Sequence, residues 1–117
     1  MIQFYQYIKC GTCRKAKKFL DQQKVAYKEI DIILNPPPKM VLKKAIAAYG
    51  IKKLFNTSGM EYKEKKIKDK IGSMTDSQAL DLLSKNGRLV KRPIVFDGGQ
   101  ITVGFNEEEF KNSWLKP

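Results

Sequence analysis

The sequence predicts a single α/β domain over residues 1–117: a mixed β-sheet flanked by helices, with a β-α-β unit first, a helical insertion, and a β-β-α unit last. Three observations carry this reading. Residues 2–33 alternate as a strand, change to helical spacing, and return to a strand. A proline run at 35–38 and three short helical patterns then separate that unit from two apolar runs joined by Asp97-Gly98. A length of 117 residues, 42% hydrophobic and 30% charged, suits one soluble domain, and no repeat or linker divides it.

Each element follows from its own pattern. Ile2, Phe4 and Ile8 alternate with Gln3, Tyr5, Tyr7 and Lys9, the period of a strand. After Cys10-Gly11-Thr12-Cys13-Arg14, the residues Ala16, Phe19 and Leu20 fall on one helical face, with Lys15, Lys17 and Lys18 on the other. Val25 to Ile33 reads as a second strand. Asn35-Pro36-Pro37-Pro38 excludes regular structure. Val41, Leu42, Ala45, Ile46 and Ala48 mark a helix over 40–49, with Gly50 as its stop. Residues 51–55 fit neither pattern. Ser58 with Glu61 reads as a capping box opening a short basic helix to about Lys70. Thr75 with Gln78 opens another, with Ala79, Leu80, Leu82 and Leu83 inward and Gly87 at its end. Leu89 to Phe96 is a strand interrupted by Pro93, and Ile101 and Val103 continue the return strand. Asn106 with Glu109 opens a last helix with Phe110 and Trp114 on its core face.

Composition bounds the chemistry. The two cysteines lie three positions apart, which is too few and too close for a structural disulfide framework. With no histidine and no third cysteine, a cysteine–histidine zinc site is excluded within one chain. No apolar run approaches the roughly 18 residues of a membrane helix, and Met1 to Lys9 lacks the apolar core of a signal peptide. A cytoplasmic protein without a membrane role is expected. Lys and Arg total 23 against 12 acidic residues, a formal charge of +11. Such an excess attracts anionic substrates and polyanions. It comes here without a recognition motif or aromatic interleaving, so no direct nucleic-acid role is expected and polyanion binding stands as a third reading. The run Lys63, Lys65, Lys66, Lys68 and Lys70 reads as a solvated helix face.

What remains for the cysteines is a redox pair or coincidence. Their position between a strand and a helix favours the pair. A thiolate, not a thiol, attacks a disulfide. At a helix start, unpaired amides and a partial positive charge favour that thiolate. Cys10 is therefore the expected nucleophile, exposed and with a lowered pKa, aided by Lys9 and Arg14. Cys13, a turn further in, is expected to be less exposed and to resolve the mixed disulfide. Gly11 permits an unusual backbone angle and close approach of a partner, and Thr12 can donate its hydroxyl to the thiolate or to a bound oxyanion. Ser58 and Thr57 are further candidates for the cysteine pocket. The X-Pro bond Arg92-Pro93, inside an otherwise good strand, belongs at an irregularity and is a candidate cis bond.

In order along the chain, Cys10-Gly11-Thr12-Cys13-Arg14-Lys15-Ala16, Asp31-Ile32, Leu54 to Gly59, Lys91-Arg92-Pro93-Ile94-Val95 and Val103 to Phe110 resemble the arsenate reductase (ArsC)/Spx family, a branch of the thioredoxin-like fold with a helical insertion. The resemblance covers nearly the whole chain. It implies a cis-proline loop at Pro93 facing the cysteine turn, with Arg92 beside Cys10 as the cation for a thiolate or anion, and Gly11, Thr12, Arg14 and Pro93 around the site. In that family the reductases use a single cysteine, matched by Cys10, and three arginines. Only Arg92 matches here, with Asn56 and the neighbourhood of Gly104 at the other two positions and Gln6 where a histidine is common. The reading implied is a thiol–disulfide oxidoreductase, reducing arsenate or a related substrate with glutathione, glutaredoxin or thioredoxin as donor and no bound cofactor. The alternative implied is an Spx-like redox-switched regulator binding the C-terminal domain of the RNA polymerase alpha chain. Gly50 resembles a glycine at that surface, followed here by Lys52 and Lys53 instead of acidic residues.

Overall fold

The computed structural model describes residues 2–115. The elements run β1 (Ile2–Gln6), α1 (Gly11–Gln22), β2 (Tyr27–Asp31), α2 (Lys39–Tyr49), α3 (Met60–Glu64), α4 (Ile67–Lys70), α5 (Asp76–Lys85), β3 (Ile94–Phe96), β4 (Ile101–Val103) and α6 (Glu107–Trp114). The sheet order is β2-β1-β3-β4. β1 runs parallel to β2 and antiparallel to β3, and β3 is antiparallel to β4. The expected mixed sheet and inserted helices are therefore present.

Both faces of the sheet are covered, and this changes the reading of β1. Phe4 and Val95 point to one side, where Ala16, Phe19 and Leu20 of α1 meet Phe110 and Trp114 of α6. Tyr5, Ile94 and Phe96 point to the other, onto Val41, Leu42 and Leu83 of the inserted helices. A strand buried on two faces has no solvent side, so Tyr5 is as much core as Phe4. The expected alternation also runs too far. β1 ends at Gln6, the chain turns with the Cys10 amide donating to the Tyr7 carbonyl at 2.9 Å, and Ile8 is 69% exposed.

Three boundaries differ from expectation for identifiable reasons. Ser58 does not cap α3. Gly59 is the N-cap with no side-chain bond, and Lys66 at φ 54° splits the basic stretch into α3 and α4. Gly87 does not stop α5, whose C-cap is Asn86. Gly87 is instead buried against β2's exit: a Cβ there would lie 1.8 Å from the Ile32 carbonyl oxygen. The Leu89 to Phe96 stretch is one isolated bridge, Phe55 with Val90, and then a short strand that begins after Pro93. The box at Thr75 forms as expected, with Gln78 N–H donating to Thr75 Oγ1 at 3.1 Å and Thr75 N–H to Gln78 Oε1 at 2.9 Å.

Candidate active site

Cys10 is the N-cap of α1. Its sulfur takes the place a capping oxygen usually fills, accepting the Cys13 amide N–H at 3.4 Å. The helix start thus turns an unpaired donor onto the sulfur, where it favours the anion. Cys10 is half-buried and Cys13 is fully buried at 0% exposure, and both are free thiols. The accessible cysteine precedes the helix and the enclosed one lies inside it, as expected.

The two sulfurs are driven in opposite directions. Burial pushes the Cys10 thiol up, but hydrogen bonds from the Cys13 thiol and amide, then the hydrogen bond and charge of Arg92, outweigh it and hold Cys10 below the ordinary range. Burial, reinforced by the neighbouring Cys10, pushes Cys13 up to about 12, against a hydrogen bond from the Tyr7 backbone. Of the two sulfurs, Cys10 therefore gives up its proton more readily and Cys13 holds its own.

The Arg92–Pro93 peptide bond is cis, and Arg92 lines one cavity with Cys10. Pro93 is buried, and its carbonyl accepts the Gly104 amide at 2.8 Å. The Arg92 guanidinium lies over the Tyr7 ring, 5.2 Å from the centroid. Its Nε and Nη1 are buried without a partner among the described residues. Beside the sulfur is a cavity of about 280 Å³ lined by Cys10, Thr12, Asn56, Ser58, Gly59, Lys91 and Arg92. Unpaired guanidinium donors next to a nucleophilic sulfur suit an anionic or developing negative group there.

Other expected residues stand differently. Arg14 is exposed, and its Nη1 donates to the Ile8 carbonyl at 3.1 Å, so it braces the turn instead of lining the cavity. Helix side chains lean toward the N-terminus, which sends this one back over residues 8–10. Neither Arg14 nor Lys9 is among the groups that lower Cys10. Gly11 opens α1 and has no positive φ. A Cβ on it would meet only Arg14 Nη2 at 4.0 Å, so the unusual angle is absent and the open approach is present. Thr12 lines the cavity, but no hydrogen bond among the described residues joins its hydroxyl to the sulfur. Gln6 is held away by Glu29, donating Nε2 to Oε2 at 2.7 Å.

Lys91 and Gly59 are site residues that the pattern alone does not single out. Gly59 is needed by proximity: a Cβ would lie 2.8 Å from Asn56 Nδ2. Lys91 reaches the cavity because the bend before Pro93 sets it against Gly104, at 3.6 Å from Cε to a Cβ built there. Its signal in sequence was its place before the Arg-Pro pair. The basic stretch on α3 and α4 lies elsewhere. Its Lys65 and Lys70 border a separate depression of about 710 Å³ with Met74, Leu82 and Lys85, which neither cysteine lines.

The family model for the ArsC family matches residues 5–113. The chain is 46% identical over 115 residues to the uncharacterized protein YusI of Bacillus subtilis, covering 97% of this chain and 98% of that one. It is 29% identical over 113 residues to the global transcriptional regulator Spx of Streptococcus agalactiae, covering 95% and 81%. Among solved structures, one described as a possible arsenate reductase from Streptococcus mutans UA159 superposes with a TM-score of 0.87 at 38% identity, covering 95% and 98%. A Staphylococcus aureus COL protein solved by NMR gives 0.84 at 47%, covering 99% and 100%. From Cys10 at its helix cap to the cis peptide at Pro93, the fold and its full-length likeness agree, and the chain belongs to the ArsC family.

Proposed function

We propose that the protein is a thiol–disulfide oxidoreductase in which Cys10 attacks and Cys13 resolves. The opposed settings of the two sulfurs carry this reading. Cys10 is reachable and favoured as the thiolate, while Cys13 is enclosed and keeps its proton.

The Cys10 thiolate attacks one sulfur of a substrate disulfide, forms a mixed disulfide and expels the other sulfur as a thiolate. Arg92 stabilises the negative charge that passes through the cavity. Once Cys10 is in the mixed disulfide, the Cys13 proton leaves, and the Cys13 sulfur displaces the second substrate thiolate. Cys10–Cys13 is then a disulfide, and the protein has given up two electrons. External thiols, from glutathione or a glutaredoxin- or thioredoxin-like partner, reduce it again, so no bound cofactor is needed. This cycle suits a reducing compartment, the cytoplasm. Arsenate is a candidate substrate through the same cysteine and Arg92. With Asn56 and Gly104 in place of two family arginines, a thiol-exchange substrate is the better supported reading. The test is turnover of a small disulfide coupled to a thiol donor. Activity is expected in wild type and lost in Cys10→Ser, and equal activity in both sinks the proposal.

The likeness to Spx favours a second reading, a redox-switched partner of the RNA polymerase alpha chain. Gly50 follows α2 at φ 86°, and the Lys52–Leu54 turn beside it exposes Lys52 and Lys53. Binding to the C-terminal domain of that alpha chain that changes on Cys10–Cys13 oxidation would favour the regulator. Turnover without such binding favours the enzyme.

A further inference from the structure

The cavity beside Cys10 is rich in donors, and no carboxylate lines it. Lys91 and Arg92 bring positive charge, Thr12 and Ser58 hydroxyls, and Asn56 an amide. The Arg92 Nε and Nη1 are buried without a partner among the described residues. Asn56 Nδ2 donates to the Arg88 carbonyl at 3.5 Å, which uses one of its N–H groups and leaves the other. Glu61, two residues past Gly59, is engaged elsewhere. Its Oε1 accepts from Asn86 Nδ2 at 3.0 Å, and its Oε2 lies 3.9 Å from Arg88 Nε. The donors around Cys10 therefore await an acceptor with several oxygens and negative charge.

We propose that this space takes the sulfonate end of a compound with a sulfur–sulfonate bond, R–S–SO3−, and that the bond broken by Cys10 is the one to sulfite. The inference rests on the reading of Cys10 as the attacking and Cys13 as the resolving thiol, and it names a substrate class for that pair. An organic S-sulfonate brings one negative charge into the cavity, and the departing sulfite carries two. Arg92 and Lys91 therefore gain most as the bond breaks, which speeds the step instead of only holding the ligand. The thiolate leaving an ordinary disulfide carries one charge on a sulfur, a weak acceptor for the same donors. Size points the same way. At about 280 Å³ the space is tight for a leaving group with a side chain of its own and sufficient for sulfite.

The Cys10 thiolate attacks the sulfur bonded to R and forms a mixed disulfide, and sulfite departs with the electron pair of the broken S–S bond. The Cys13 thiol then displaces R–S− from Cys10 and gives up its proton to it. The products are R–SH, sulfite and the Cys10–Cys13 disulfide; the substrate gains two electrons and the protein dithiol loses them. With thiosulfate the same step leaves a single sulfur on Cys10 as a persulfide, and Cys13 releases it as hydrosulfide.

The test mixes reduced protein with S-sulfocysteine in one arm and thiosulfate in the other, and follows sulfite. Release stoichiometric with protein is expected in at least one arm, faster than from free cysteine at equal thiolate concentration, and lost in Cys10→Ser. In Cys13→Ser the adduct stays on Cys10, and its mass, a cysteinyl group or one sulfur, names the source. The second-order rate constant for the reacting sulfonate is then divided by that for hydroxyethyl disulfide. This ratio should fall roughly tenfold in Lys91→Ala, recover in Lys91→Arg, and keep its wild-type value in Lys68→Ala on α4. Sulfite release no faster than from free cysteine overturns the inference, as does a ratio that stays constant in Lys91→Ala. When hydroxyethyl disulfide reacts and neither sulfonate does, the inference falls alone; when none of the three reacts, the oxidoreductase reading falls with it.

Discussion

The Arg92 guanidinium stands over the ring of Tyr7, 5.2 Å from its centroid, with Nε and Nη1 buried and without an acceptor among the described residues. The ring supports the cation from one side without neutralising it, so its charge stays available to Cys10 and to whatever enters the cavity.

Removing that cation should slow Cys10. Arg92→Ala is expected to lower the alkylation rate at pH 7 by roughly three- to tenfold, the range a modest loss of thiolate produces. Tyr7→Leu should act in the same direction and less strongly, by loosening the guanidinium. Iodoacetamide kinetics read both, and an unchanged rate in Arg92→Ala contradicts the assigned role.

Cys13 carries a pH signature of its own. Its folded pKa is raised to about 12, first by burial. A group raised in this way contributes stability that is complete below the unfolded value, about 8.5, and is lost as pH rises through the folded one. In denaturant titrations, the advantage of reduced wild type over Cys13→Ala should therefore shrink as pH rises from about 8 to about 10.5. A constant difference would mean that the buried thiol is not suppressed.

Gly87 tests the packing between the insertion and the sheet. A Cβ there would lie 1.8 Å from the Ile32 carbonyl oxygen and 2.8 Å from its carbon, and both are backbone atoms that cannot step aside. Gly87→Ala should cost about 1–3 kcal/mol or more, measured by chemical denaturation.

The box at Thr75 anchors α5, the helix that packs Leu83 under the sheet. Thr75→Ala should cost about 1 kcal/mol, with little change at Cys10 because the box lies away from the cavity. A thermal melt checks the first part and alkylation kinetics the second.

Much of this was legible locally. The strand, the cysteine turn and the helix at Cys10 follow from spacing, and so does the order of exposure of the two sulfurs. Pro93 announced an irregular backbone. The misreadings arose where tertiary contact decided. Arg14 is near Cys10 in sequence, yet its lean along the helix sends it to Ile8. Ser58 had a box pattern, but the chain starts α3 one residue later. Gly87 looked like a stop, while its real constraint is a carbonyl from β2's exit. Lys91, Asn56 and Gly59 line one cavity with Cys10, a meeting of the insertion and the stretch before β3 with the start of α1 that no local pattern encodes.

The most direct test is a pH titration of thiolate absorbance in the reduced protein, with the alkylated residue identified by mass spectrometry. One thiolate should form below the range of free cysteine and belong to Cys10, while Cys13 remains protonated until strong alkali or unfolding. Two thiols titrating together near the free value of about 8.5, or first alkylation at Cys13, would contradict the account.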